Sequence, residues 1–288
     1  GALLRSRIEE RFRGGLGGQV LTYAEEHGLR VHLLQPAEAA AEPGPGAGPP
    51  RRPCVVFLHG GGWLGGAPSQ FYPYARAVTE SLGVAAACCE FRSLLTHPRA
   101  RVPLDPVADA QRCLRFLHDG SEGLGLDRSK LVLAGASSGG HLAAMAALEG
   151  GRPPLAGLVL FNPVLDLHFA AGWAQRQPVV WLGAWLMRWR YGSHALTEKS
   201  PLHGVRSLPF PTLILHGTAD RLVPFEEAEA FRERMSEAGN DCTLEPFAGD
   251  GHYFFNWRVS PANFARCVGL IGSFLASAGV LSGPPPSK

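Results

Sequence analysis

Apolar residues along the chain fall into two kinds of short run. Residues 19–24 and 29–34 alternate apolar and polar positions around Glu26-His27-Gly28. That predicts an antiparallel hairpin with one face buried. From residue 54 onward the alternation gives way to unbroken apolar runs at 54–58, 84–89, 131–134, 158–161, 212–215 and 243–247. Such runs mark strands buried on both faces, as in a parallel sheet. Helical spacing fills the gaps at 69–81, 103–118, 225–238 and 261–276. Within 103–118, Val107, Ala110, Leu114 and Leu117 share one face, and Pro103 stands at the start, where a missing N–H is tolerated. The succession predicts an α/β fold: a twisted, mostly parallel sheet of about eight strands with helices on both faces.

Three segments fall outside the alternation. Residues 1–13 are charged, with Ile8 and Phe12 as apolar points, and read as a peripheral helix or arm. Residues 35–53 are rich in Ala, Pro and Gly and read as a flexible surface loop. Residues 163–210 lack a strand signal and read as a helical cap or lid within a single domain spanning 1–288. That insertion holds Trp173, Trp181, Trp185 and Trp189, four of the chain's six tryptophans. The last three are spaced four apart, close to one helical face. They either wall a binding site or bury themselves against the domain; an aromatic-lined pocket does both.

Composition narrows the function. The 288 residues are 45% hydrophobic and 18% charged, enough for one large core. A net charge of +2 points to neither nucleic acid nor an anionic surface. Cys54, Cys88, Cys89, Cys113, Cys242 and Cys267 form no CxxC pair and no Cys/His cluster of zinc spacing. They read as reduced thiols, Cys54, Cys88, Cys89 and Cys242 as small hydrophobes in strands. No metal or cofactor is called for. No apolar run of about 18 residues is present, so no membrane span is expected. No signal peptide is visible, and the start at Gly1 leaves the compartment open between cytoplasm and export after loss of an N-terminal signal. The sequence is silent on oligomeric state.

The chemistry is carried by Gly135-Ala136-Ser137-Ser138-Gly139-Gly140. It lies between an apolar strand and a helix start, the setting in which G-x-S-x-G places a serine at the tip of a strained turn. A serine hydroxyl is a weak nucleophile and needs a base, which in turn needs an orienting carboxylate. Asp220 follows the strand 212–215, and His252 follows the strand 243–247 on a Gly-rich loop. The order Ser137, Asp220, His252 makes them the candidate nucleophile, acid and base. Asp241, before the last strand, and Asp250, a turn former, are weaker acids for the role. His59, His141 and His216 are rival bases that more plausibly fix loops. After the strand 54–58 comes His59-Gly60-Gly61-Gly62-Trp63. Glycines let backbone N–H groups approach a developing oxyanion, and Gly61, Gly62 and Ser138 are the expected donors. Trp63, Trp181 and Trp185 are the candidate substrate contacts.

These motifs, with Phe161-Asn162-Pro163-Val164-Leu165-Asp166, His216-Gly217-Thr218-Ala219-Asp220, Val223-Pro224-Phe225 and Phe254-Phe255-Asn256, resemble the α/β-hydrolase superfamily from about residue 29 to 276. The resemblance is to a bacterial acetyl xylan esterase-like branch related to hormone-sensitive-lipase-type carboxylesterases. It implies a serine carboxylesterase acting on short-chain acyl esters, acetylated or feruloylated carbohydrate included. The ester would be a small-molecule or carbohydrate substrate. Ala136-Ser137-Ser138 departs from relatives that carry an acidic residue before the nucleophile and Ala after it. Three other readings compete. A prolyl-oligopeptidase-type peptidase shares the triad but would carry propeller repeats. A dienelactone hydrolase would have Cys at position 137. A non-catalytic binding protein on the same fold would have lost part of the constellation.

Overall fold

The structure, a computed structural model, describes residues 13–37, 51–168 and 196–281, together with Glu10, Trp189, Gly192 and His194. Eight strands form one sheet: β1 (Gln19–Ala24), β2 (Leu29–Leu34), β3 (Arg52–Leu58), β4 (Ala85–Cys89), β5 (Leu126–Ala136), β6 (Gly157–Phe161), β7 (Thr212–Gly217) and β8 (Cys242–Phe247). Their order is β1-β2-β4-β3-β5-β6-β7-β8. The β1–β2 and β2–β4 pairings are antiparallel; every later pairing is parallel. The hairpin expected from the alternating N-terminal runs is therefore the antiparallel edge of a parallel sheet.

The unbroken apolar runs exist because both faces of the sheet are covered. Cys54, Val56 and Leu58 of β3 belong to one core cluster, Val55 and Phe57 to the other. In β5, Leu131 and Leu133 alternate in the same way with Val132 and Ala134. The first face packs α2 (Leu104–Asp119), α3 (Ser138–Leu148) and α4 (Phe225–Glu237). The second packs α1 (Tyr72–Leu82) and α5 (Pro261–Ser277). Helix α3 is buried along its whole length, which suits a sequence of Ala, Leu and Met with no polar stripe.

Boundaries shift from the sequence pattern in three places. β5 begins at Leu126, in the polar stretch Asp127-Arg128-Ser129-Lys130. That part is half-exposed, so it carries no apolar signal. β3 begins at Arg52, two residues into the expected loop; Pro53 donates no ladder hydrogen bond, and the β3–β5 register shifts between Arg52 and Cys54. The helix expected from residue 69 opens as a 3-10 turn, Pro68–Phe71, before α1. All six cysteines are free. Cys242 is half-buried, while burial of Cys54 pushes its thiol up to about 12. Residues 38–50, and the part of the expected cap that includes Trp173, Trp181 and Trp185, lie outside the described residues. Trp189 is exposed. Among the described residues, no helix is long and apolar enough to cross a membrane.

Candidate active site

The carboxyl ends of β3, β5, β6, β7 and β8 converge on one cleft, the place where open parallel sheets gather their sites. β5 passes into α3 through Ser137 alone. Ser137 has φ 54° and ψ −121°, a strained backbone for a non-glycine residue. Its N–H donates to the Phe161 carbonyl at 2.9 Å and its carbonyl accepts from His141 at 3.0 Å, so both neighbours hold the turn. Gly135 and Gly139 cross so closely that a Cβ on Gly135 would overlap the Gly139 carbonyl. A Cβ on Gly139 would overlap the carbonyl oxygens of Leu58 and His59. The two glycines of the motif are thus steric necessities.

The Ser137 hydroxyl lies 3.1 Å from His252 Nε2, and His252 Nδ1 lies 2.7 Å from Asp220 Oδ2. With Nδ1–H donating to the carboxylate, Nε2 is left to accept the Ser137 proton. Asp220 Oδ1 accepts the N–H groups of Leu222 at 2.8 Å and Val223 at 3.0 Å. Burial by itself would raise the Asp220 carboxyl. Hydrogen bonds from His216 and His252, the charge of His252 and the Val223 N–H outweigh it and hold the group well below the usual carboxylate range. Asp241 and Asp250 are not in this chain of contacts; Asp250 instead accepts from Asn263 Nδ2 at 2.9 Å.

The rival histidines hold loops. His216 is fully buried, with Nε2 3.0 Å from the Val223 carbonyl and 3.4 Å from Asp220 Oδ2, so it closes the acid loop. His59 bonds the Gly60 carbonyl at 2.9 Å and stacks on Phe91. His141 bonds the Lys199 carbonyl at 2.7 Å. Burial lowers both His59 and His141 to about 4, keeping them neutral at physiological pH.

The glycine loop turns over the serine. Gly61 has φ 137° and Gly62 φ 61°, conformations that a side chain would strain. The N–H groups of Gly61, Gly62 and Ser138 have no acceptor among the described residues. Gln70 anchors the loop: its Oε1 accepts the Gly60 N–H at 2.6 Å. A cavity of about 490 Å³ opens here. Gly61, Gly62, Trp63, Ser137, Ser138 and His252 all border it. The rest of its lining is largely apolar, with Val164, Leu167, Leu196, Leu222 and Val223. A broader concavity of about 850 Å³ beyond Gln70, lined by Tyr72, Trp257 and Phe264, contains none of these groups.

Three site residues were not singled out from the sequence. Asn162, buried at φ 36° after β6, sets its Nδ2 at 2.8 and 2.9 Å from the two ring nitrogens of His252. Equal distances place that nitrogen off both in-plane nitrogen directions, against the ring rather than as a third in-plane partner. Its place directly after a strand end was the available signal. Gln70 left none. Glu227 had one: a carboxylate at a core-facing position of α4, in step with Phe231 and Met235.

Among the described residues, no His/Cys/Asp/Glu cluster could hold a metal ion. A protein-family model described as alpha/beta hydrolase fold matches residues 55–256. An esterase of Thermogutta terrifontis, solved with propionate bound, is 33% identical, covers 93% of this chain and 97% of its own, and superposes with a TM-score of 0.76. The butyrate-bound form of that esterase gives 32% and 0.77, with 94% and 97% covered. Esterase LipQ of Mycobacterium tuberculosis is 28% identical over 220 residues, 72% of this chain and 51% of its own length. The isoprenylcysteine alpha-carbonyl methylesterase of Arabidopsis thaliana is 24% identical over 219 residues, 70% and 50%. The chain thus spans about half the length of these last two relatives. By the family match and by the likeness to the Thermogutta esterase over nearly its full length, the chain belongs to the α/β-hydrolase fold family.

Proposed function

We propose that this chain is a serine carboxylesterase acting on short-chain acyl esters, acetylated or feruloylated carbohydrates among them, through an acyl-enzyme. The observation that carries the proposal is the unbroken contact chain Ser137–His252–Asp220 beneath a loop whose Gly61 and Gly62 N–H groups have no acceptor among the described residues. Ser137 attacks the ester carbonyl as His252 Nε2 takes its proton. Asp220 holds the imidazole in the accepting tautomer and stabilises the imidazolium. The N–H groups of Gly61, Gly62 and Ser138 bind the oxyanion, each donor being worth about 3 kcal/mol in such sites. His252 returns the proton to the departing alcohol. Water, activated by the same imidazole, then attacks the acyl-enzyme carbonyl, and Ser137 Oγ leaves with a proton.

The cavity's modest volume and apolar wall suit short acyl groups. The Thermogutta relative, solved with propionate and with butyrate bound, supports the same size range. The esterase names of the relatives favour ester over peptide hydrolysis, and the intact constellation argues against a purely binding role. A p-nitrophenyl ester series from acetate to decanoate, run beside acetylated xylan, tests the substrate class. Activity should be highest from acetate to butyrate; a maximum at octanoate or beyond would overturn the short-chain reading.

A further inference from the structure

Glu227 breaks the apolar wall of the cavity. It sits in the first turn of α4 and is almost wholly buried. Its Oε2 accepts two backbone N–H groups, from Leu165 at 2.8 Å and from Asp166 at 3.1 Å. Its Oε1 is buried and has no partner among the described residues. The residue borders the cavity beside Leu222 and Val223. An orphaned buried oxygen costs stability unless something satisfies it. A core-facing leucine would have avoided that cost.

The environment decides which form the carboxyl takes. Burial raises it to about 8; the Leu165 and Asp166 N–H groups pull the other way, and the Asp166 and Asp220 charges add to the rise. Asp166 faces it from the segment after β6 and is itself 3.6 Å from His203. Asp220 faces it from the end of β7, in contact with His216 and His252. Below that value the group is a neutral acid. Because Oε2 is occupied by two donors, its proton belongs on Oε1.

We propose that Glu227 Oε1 is a specificity-determining hydrogen-bond donor, selecting esters that carry an ether, hydroxyl or carbonyl oxygen on the arm entering the Val223 end of the cavity. The inference rests on the carboxylesterase reading and refines its substrate. An aliphatic arm leaves the donor unsatisfied; an oxygen-bearing arm satisfies it.

Matched isosteres test this. In the acyl arm, p-nitrophenyl 3-methoxypropanoate is compared with p-nitrophenyl pentanoate; in the alcohol arm, 2-methoxyethyl acetate with butyl acetate. The ratio of kcat/KM within each pair cancels the titration of His252. In the wild type, one pair should favour the ether more at pH 6 than at pH 9, by about three- to tenfold, the worth of one net hydrogen bond. The pair that responds identifies the arm. Glu227→Gln keeps an acceptor for Leu165 and Asp166 and presents an amide donor in place of the acid. It should hold the pH 6 ratio at both pH values, and thermal melting confirms that the variant is folded. Ratios independent of pH in both wild-type pairs, or a decline in Glu227→Gln equal to that of the wild type, would overturn the proposal while leaving the esterase reading intact. A wild type that hydrolyses neither ester of either pair would overturn both.

Discussion

Replacing Asp220 by asparagine changes one atom and should reverse the proton on His252. Asp220 uses both oxygens: Oδ1 for the Leu222 and Val223 N–H groups, Oδ2 for His252 Nδ1 at 2.7 Å. An asparagine amide has two ways to sit there. With its nitrogen toward the loop, two buried backbone donors lose their acceptor, each at about 1–3 kcal/mol. With its oxygen toward the loop, the amide nitrogen forfeits the His216 contact and meets His252 donor against donor. The imidazole relieves that conflict by carrying its proton on Nε2 instead of Nδ1. The second arrangement is preferred by one donor's worth, about 1–3 kcal/mol, or roughly 5- to 150-fold in population. His216 retains the Val223 carbonyl in either case. An imidazole protonated on Nε2 cannot accept the Ser137 proton. Inverting the tautomer costs serine hydrolases about 10⁴ in kcat, roughly 5.5 kcal/mol of barrier. The assay is steady-state hydrolysis of p-nitrophenyl acetate near pH 8, with thermal melting as the control for folding. A loss of less than about tenfold in a well-folded Asp220→Asn protein would refute the tautomer argument.

Three further outcomes follow from the same geometry. Gly139→Ala should lower the melting temperature by several degrees and remove activity, since overpacking costs about 1–3 kcal/mol and the new Cβ strikes the carbonyls of Leu58 and His59; an unchanged melting curve would contradict it. Gln70→Ala frees the Gly60 N–H, so kcat should fall about tenfold with KM nearly constant, read from Michaelis curves; unaltered kcat would show that the loop holds without its anchor. The Asp220 carboxyl is held below its ordinary value, so the stability it contributes is present above about pH 4 and lost as pH falls through its lower folded value. The melting temperature of the wild type should therefore approach that of Asp220→Asn between pH 5 and pH 2; a gap that widened would reverse the assignment.

The parallel sheet was readable because strands covered on both faces must be apolar throughout, as Cys54 to Leu58 and Leu131 to Ala134 are. The polar start of β5, Asp127 to Lys130, escaped the same reading because half-exposed strand residues obey no such rule. Ser137 and the glycine loop were legible through local sterics: Gly135, Gly139 and Gly61 occupy places where a Cβ fails. Asp220 and His252 were legible through chain order, since each follows a strand that ends at the cleft. Asn162, Gln70 and Glu227 act across 90, 10 and 62 residues of sequence separation. Such contacts follow from strand order and helix docking, which periodicity does not encode. Of the three, Glu227 stands out most against its surroundings, as a carboxylate on the apolar face of α4 that periodicity alone left unmarked.

The central claim is that Ser137 is the nucleophile. A fluorophosphonate probe, followed by peptide mass spectrometry on the wild type and Ser137→Ala, tests it directly. The wild type should take up one label on Ser137 and lose esterase activity in step with labelling. Ser137→Ala should remain unlabelled, fold normally and hydrolyse p-nitrophenyl acetate no faster than background. A label on another residue, or undiminished hydrolysis by Ser137→Ala, would contradict the account.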